Sequence, residues 1–460
     1  EDLLLAGRGP NPLLIRGAPG GDFRAGPVGI AVSDAQWENP LAIAAGDVDG
    51  DGDLDVFIPQ YASPYVEGRI PEPYFDANDG YPAYLLVNQG DGTFKEATEK
   101  AGLGTKRKRR TYSSSFLDLD GDGDQDLLTV NDFSGPDAYL NDGQGRFHDA
   151  TAEILDQKAS FGMAHAAGDF DLDGNLDLYV IGMSSTTAKR LNMLGLGRPE
   201  FPEYQEMRLP MGYGNRMLLG DGKGKFTQAP WNDKVAATGW SWGVSPLDFD
   251  LDGDPDIYVA NGNLSGASAA DYCTTFWRHD IYPEKGARPE ARAAACFKSL
   301  SPLRAGQMSW NGFEHDAFFM NAGGSDFVNV SYLMGLGAEE DTRSVIAEDL
   351  DLDGRPDLIV SDTRIQDRAG HLRIFHNEGQ ASGNWIGVRL EGSPEISPLG
   401  SRIRVRTGKL LQSAWILAGD SYRCQSSSTR LFGLGSVSKV DEIEVLWPGG
   451  KITRLASPAA

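Results

Sequence analysis

The sequence predicts an all-β fold: a β-propeller of six to eight blades, seven favoured, followed by a small β-sandwich-like domain. Three observations predict it. An aspartate-rich loop recurs five times with one spacing. A glycine-rich hairpin motif alternates with that loop. Glycine is abundant, 57 of 460 residues, as many tight β-turns require.

The loops carry Asp at positions 1, 3, 5 and 9 and Gly at position 6. The first uses Asp47, Asp49, Asp51, Asp53 and Asp55, and the second Asp118, Asp120, Asp122, Asp124 and Asp126. The third uses Asp169, Asp171, Asp173, Asn175 and Asp177, and the fourth Asp248, Asp250, Asp252, Asp254 and Asp256. The fifth uses Asp349, Asp351, Asp353, Arg355 and Asp357. Calcium is a hard cation that takes six to eight oxygens at about 2.3–2.6 Å, and alternate carboxylates in a tight loop converge on one point. Position 7 usually offers its backbone carbonyl, so Arg355 is compatible with that role. A helical calcium hand would place Glu at position 12. Here position 12 is Ile58, Thr129, Val180, Val259 or Val360, inside a β-branched apolar run, so a strand follows. The expected cofactor is calcium, about five ions.

The second motif reads Leu86-Val-Asn-Gln-Gly-Asp-Gly-Thr-Phe94, then Leu140 to Phe147, Leu219 to Phe226 and Phe319 to Phe327, with a degenerate copy at 14–23. Each is a strand, a Gly-rich turn and an aromatic opening the next strand. One unit is therefore strand, calcium loop, strand, hairpin. Four-stranded units repeating at this period specify propeller blades. The orphan hairpin at 14–23 implies a blade beyond the five marked by loops. The propeller is expected over 1–380, with insertions at 183–215 and 263–316, and the second domain over 381–460. Alternation in Ile403, Val405 and in Ile443, Val445, Trp447 marks half-buried strands there.

The formal charge is −24, and 23 of the aspartates sit in the five loops. Five calcium ions would leave about −14, so the acidity reflects metal sites more than partners. A chain this acidic is a poor nucleic-acid binder. No apolar run reaches the roughly 18–20 residues needed to span a bilayer. The chain starts at Glu1 without Met or a signal-like segment, as a processed or trimmed chain would. Weak calcium loops suit an extracellular or periplasmic setting, where calcium is plentiful. Cys273 and Cys296 share one insertion; they either pair, as an oxidising compartment allows, or stay as buried thiols, and Cys424 is left over.

The Asp-x-Asp-x-Asp-Gly-x-x-Asp loops leading into Asp-Leu-x-Val strands resemble FG-GAP or VCBS repeats. The tail contains Asn384-Trp-Ile-Gly-Val-Arg-Leu390, Leu399-Gly-Ser-Arg-Ile-Arg-Val405, Phe432-Gly-Leu-Gly435 and Trp447-Pro-Gly-Gly450. It resembles the ASPIC and UnbV domain of the cartilage acidic protein-like family. The resemblance implies a secreted, calcium-binding protein with a binding or adhesion role. It implies little about activity.

The strand before each loop is expected to be innermost, which places its side chains at the propeller mouth. The candidate ligand site is Arg110, Tyr112, His165, Trp240, Trp242 and Arg343. Trp310 and Glu314 join it, because Trp310-Asn-Gly-Phe-Glu-His315 is similar to a Trp-x-Gly-x-Glu stretch in bacterial relatives. The bland alternative for all eight is packing between blades. His165, His279 and His315 are a candidate transition-metal set, although they share no ligand spacing. The basic run Lys106-Arg-Lys-Arg-Arg110 offers an anion site or a solvated loop. No nucleophile elbow, phosphate loop or His-Glu-x-x-His occurs. Two functions stay open: a module binding a glycan or protein at the mouth, or an enzyme there, either a carbohydrate lyase or dehydratase or a transition-metal oxidative enzyme.

Overall fold

The computed structural model describes every residue except 1, 10, 19–20, 33–34, 65–69, 72, 282–297, 299–300, 364–369, 380–382, 394–395 and 459–460. A first sheet holds β1 (Leu3–Leu5), β2 (Leu13–Ile15) and β3 (Pro27–Gly29). Blade 1 is β4 (Ala44–Gly46), β5 (Asp55–Ile58), β6 (Tyr84–Asn88) and β7 (Phe94–Glu96). Blade 2 is β8 (Arg110–Leu117), β9 (Asp126–Asp132), β10 (Gly135–Asn141) and β11 (Phe147–Asp149). Blade 3 is β12 (Gly162–Gly168), β13 (Asp177–Gly182), β14 (Arg216–Gly220) and β15 (Phe226–Gln228). Blade 4 is β16 (Ser241–Leu247), β17 (Asp256–Asn261), β18 (Ala317–Asn321) and β19 (Phe327–Asn329). Blade 5 is β20 (Thr342–Glu348), β21 (Asp357–Thr363) and β22 (Gly370–Phe375). The chain folds as a β-propeller of open, antiparallel sheets. Six of the eight sheets among the described residues lie in this part of the chain, the lower end of the expected range.

Each aspartate loop joins the first and second strands of its blade, as the repeat predicts. The first strands β4, β8, β12, β16 and β20 touch one another in sequence, so they are the innermost strands. The loops need left-handed backbone at two positions, not one. Position 6 is always Gly, and position 4 is Gly50 or Gly121 in the first two loops. In the other three, Leu172, Leu251 and Leu352 take φ of 63°, 62° and 64° there, a conformation that ordinarily costs a β-carbon about 1–2 kcal/mol.

The position-9 aspartates explain how a loop is tied to its blade. Asp55 accepts Val48 N at 3.0 Å on one oxygen and Asn88 N at 2.8 Å on the other. The same pair of bonds recurs at Asp126, Asp177, Asp256 and Asp357. One carboxylate thus joins loop position 2 to the end of the third strand. The hairpin asparagines extend the tie to the next blade. Asn141 of blade 2 donates to Val48 O of loop 1 at 2.8 Å. Asn321 of blade 4 donates to Phe170 O of loop 3 at 3.1 Å, and Asn377 of blade 5 to Phe249 O of loop 4 at 3.1 Å. Blade 3 has Gly220 in place of this asparagine, packed against Leu176 O.

The connections between second and third strands emerge at the end opposite the aspartate loops. In blade 3 this connection carries helices Thr186–Met193 and Pro202–Met211, and in blade 4 helix Cys273–Phe276. Together they roof that end with Tyr74, Phe161, Trp240, Tyr272, Phe276, Trp277 and Trp310 in one buried cluster. Arg208 and Asp280 form a fully buried ion pair beneath it, Nε to Oδ2 at 2.5 Å.

The C-terminal part is a small sandwich. β23 (Asn384–Arg389) pairs with a strand at Thr429–Gly435. The other sheet contains β24 (Arg402–Thr407) and β25 (Leu410–Trp415), flanked by β27 (Glu442–Leu446) and β28 (Ile452–Ala456), with Thr429–Gly435 counted as β26. Ile403, Val405, Phe432, Leu434, Ile443 and Val445 fill its core.

Asn321→Ala is expected to lower stability by about 1–3 kcal/mol, because Phe170 O and Pro255 O lose a buried donor. Thermal or urea denaturation in saturating calcium measures this; an unchanged midpoint would show that the hairpin amide does not tie the blades.

Candidate metal centres and axial site

Each loop gathers acidic oxygens into a cluster able to hold a cation. In four loops the groups are Asp47, Asp49 and Asp55; Asp118, Asp120 and Asp122; Asp169, Asp171 and Asp177; and Asp248, Asp250 and Asp252, with ligand atoms within 4.8 Å of one another. In the fifth the group is Asp351, Asp353 and His376. His376 was missed by sequence reasoning, since it lies just past β22, 19 residues after Asp357; its Nδ1 is 3.0 Å from Asp357 Oδ1. Position 7 carboxylates stand outside the clusters, and Arg355 turns its side chain to Asp353 and Asn377 O.

The donor sets fit a hard divalent cation. Burial pushes the carboxyls of Asp118 up to about 6 and of Asp169 and Asp248 up to about 7, and neighbouring aspartates add to the shift. Burial likewise raises Asp55 to about 7 and Asp126 and Asp177 to about 8, against two amide hydrogen bonds each. Asp49 Oδ1 and Asp254 Oδ1 are buried acceptors without a protein donor. A cation in the cluster would relieve the repulsion and satisfy an oxygen such as Asp49 Oδ1.

The C-terminal sandwich sits on this loop face. Gln125 Nε2 donates to Leu399 O at 3.1 Å beside loop 2, and Arg404 Nη2 to Gly174 O at 3.0 Å in loop 3. Gly433 N donates to Asp248 Oδ2 at 2.9 Å in loop 4, and Trp385 packs on Gly354 in loop 5. From there the connection between β25 and β26 enters the propeller axis. Gly419 lies between the backbones of Ile43 and Ser114, so close that a β-carbon would meet their carbonyls at 2.5 and 2.2 Å. Ser421 N donates to His165 O at 2.8 Å, and Ser421 Oγ accepts Val244 N at 3.0 Å. Ser344 Oγ donates to Tyr422 O at 2.8 Å. One plug therefore touches chain from all five loop-bearing blades.

The eight predicted ligand residues are drawn inward by this packing. Arg110 is buried and bidentate to Asp79, at 3.0 Å for each bond. Tyr112 stacks on Tyr61 at 4.1 Å and meets Tyr422 and Trp242. Trp240 and Trp242 stack at 5.6 Å, and Trp310 packs edge-on against Trp240. Arg343 lies over the Trp242 ring and donates to Gly262 O at 2.6 Å. Glu314, raised to about 7 by burial, accepts Trp240 N at 2.6 Å and Asn311 Nδ2 at 2.8 Å. The Trp310–Glu314 stretch thus pins the blade-4 insertion to β16.

The three candidate histidines are not brought together. His165 is wholly buried, with a ring nitrogen 2.9 Å from each of Ser113 Oγ and Ser115 Oγ, and burial holds its pKa down at about 3. His279 packs among Tyr74, Phe276 and Trp277, and His315 faces Glu339 at 3.2 Å. Among the described residues no metal-holding group contains any of them. The basic run is also consumed: Lys106, Arg107, Arg109 and Arg110 pair with Asp137, Glu96, Asp76 and Asp79. Cys273 is a buried free thiol 3.4 Å from Ser185 Oγ, where the blade-4 insertion meets the blade-3 helices; the expected partner Cys296 lies outside the described residues.

Beside the plug the axis keeps a cavity of about 600 Å³ lined by Ala6–Arg8, Asn39–Ile43, Tyr112, Gly419 and Arg423–Gln425. Tyr112 was predicted; Arg8, Asn39, Arg423 and Gln425 were not, because the lining mixes the start of the chain with residues 423–425. A second cavity of about 460 Å³ separates loops 3–5 from the sandwich.

Fold and site define a β-propeller with acidic loops able to hold a cation and an axis plugged by its own C-terminal domain. Residues 75–129, 118–180 and 210–259 match the FG-GAP-like repeat, and 393–460 match the ASPIC and UnbV domain. These matches support the resemblance to FG-GAP-repeat proteins that end in an ASPIC and UnbV domain. It is similar to cartilage acidic protein 1 of Xenopus tropicalis, 24% identical over 521 residues, covering 94% of this chain and 75% of that one. Among solved structures it aligns with an exotype rhamnogalacturonan lyase, at 14% identity and a TM-score of 0.29 over 81% of this chain and 67% of the other. A sialidase from Streptococcus pneumoniae aligns at 12% identity and a TM-score of 0.27, over 85% of this chain and 57% of the other. Superpositions this loose carry no argument about function.

Removing divalent cations with a chelator is expected to lower the melting temperature and to speed hydrogen exchange in 416–424. At calcium a hundredfold above Kd each site adds about 2.7 kcal/mol. An unchanged melt would refute the metal assignment; a lowered melt with unchanged exchange in the plug would uncouple the sandwich from the loops.

A pH dependence is expected from Asp132, whose carboxyl burial raises to about 7 although Tyr61 donates to it at 2.8 Å. The folded state then binds the proton more tightly than the unfolded chain, so this group's stabilisation is full below about pH 4 and is lost as pH rises through about 7. In saturating calcium, Asp132→Asn should flatten the fall in denaturation midpoint between pH 5 and 7 relative to the parent chain.

Proposed function

We propose that the chain is an extracellular or periplasmic β-propeller, stabilised by about five calcium ions, that binds a glycan or protein partner at the open side of its plugged axis. The observation that carries this reading is the cavity of about 600 Å³ where the plug meets the start of blade 1. Its volume suits a small ligand or the tip of a larger one. Calcium would supply the frame: each ion neutralises a loop that ties its own strands and abuts the next blade. The rigid plug, braced by Ser421 and Tyr422, would form one wall of the site, and Tyr112 its floor. The family resemblance and the need of weak loops for abundant calcium support the location. No helix among the described residues is long and apolar enough to cross a membrane. Catalysis at the mouth is the weaker reading, because His165 and Glu314 spend their polar atoms on protein groups.

Gln425 is exposed at the cavity and has no hydrogen-bond partner among the described residues, so Gln425→Trp should fill the cavity without unfolding the chain. In a glycan-array and pull-down screen in calcium, partners of the parent chain should bind this variant at least about tenfold more weakly. Equal binding by both would place the partner elsewhere.

A further inference from the structure

We infer that the axial cavity takes an anionic saccharide whose carboxylate pairs with Arg8 and Arg423, an inference that rests on the reading of this cavity as the binding site. The charge distribution is the first argument. The chain has 66 acidic residues and a formal charge of −24, yet no carboxylate is among the described residues lining this cavity. The neighbouring cavity at the loop face is lined by Asp169, Asp248, Glu348, Asp349 and Asp420, so an acid-free lining is a local property. Arg8 and Arg423 make no ion pair among the described residues, whereas four of the five residues in the 106–110 run do. Two guanidinium groups without protein carboxylates, facing one concave space, suit an anion.

The second argument is presentation. Arg423 sits in left-handed backbone, φ 53°, two residues after Ser421 at φ 59°. Bonds from Ser421 and Tyr422 to three innermost strands hold that conformation in place. The guanidinium carbon lies 5.2 Å from the Tyr422 ring centroid, which supports one face of the group. The third argument is the rest of the lining. Asn39 gives its Nδ2 to Tyr61 O at 2.8 Å and keeps its carbonyl oxygen, and Gln425 keeps its whole amide. Such neutral amides beside an aromatic residue suit hydroxyl groups, and the volume admits a sugar of one or two residues.

The test is titration calorimetry of the full chain in saturating calcium with digalacturonic acid, its neutral counterpart galactobiose, and sodium sulfate. Digalacturonic acid should bind at least about tenfold tighter than galactobiose, and added salt should erode the preference. Arg8→Gln and Arg423→Gln should each weaken the acidic sugar about tenfold and leave galactobiose unchanged, with melting curves checking that each variant folds. Arg8 is exposed and outside the plug, so Arg8→Gln decides the matter if Arg423→Gln does not fold. Galactobiose binding as tightly as the acid would overturn the anionic assignment and leave the cavity reading intact. Sulfate binding as tightly as the acid would overturn the saccharide. No binding of either sugar, with Gln425→Trp silent toward every partner found by the screen, would overturn both readings.

Discussion

The aspartate that closes each loop is the constraint on which the rest of the structure depends. Asp55, Asp126, Asp177, Asp256 and Asp357 are all buried, and each accepts two backbone amides. A buried carboxylate is costly unless its charge is balanced. Here the amides balance part of it, and a cation shared with positions 1, 3 and 5 would balance the rest. The loop then becomes a rigid surface on which the next blade's hairpin turn rests, as Gly145 does against Asp49 and Gly224 against Asp120.

That surface is also what the C-terminal domain reads. Its contacts fall on loops 2 to 5, including a backbone amide on Asp248, a first-position ligand candidate. Once the sandwich is seated there, the chain between β25 and β26 has only the axis to enter. The plug completes hydrogen bonds on the inner strands that the propeller alone leaves open. It also fills the mouth and leaves a cavity at the margin of the plug.

Much of this was legible in the residues. The loop spacing specified the strand order within a blade, because nine residues with two left-handed positions make a turn whose geometry is local. It also identified the innermost strands, so Tyr112, His165, Trp242 and Arg343 were correctly set near the axis. What those side chains do there was not legible. His165 reads as a ligand by type, yet Ser113 and Ser115 on the neighbouring blade occupy both its nitrogens. Lys106–Arg110 reads as an anion site or a solvated loop, yet its partners Asp76, Asp79 and Asp137 lie up to 33 residues away.

By itself the sequence determined the repeat, the clustering of acidic side chains in each loop and the sandwich at the end, since each depends on spacing within a few residues. Only the tertiary structure decided that the sandwich sits on the loops and sends Gly419 to Ser113, 306 residues earlier in the chain. The physical reason is range: a loop's oxygens converge through its own backbone, whereas the plug and its cavity form where separate blades happen to leave room for them.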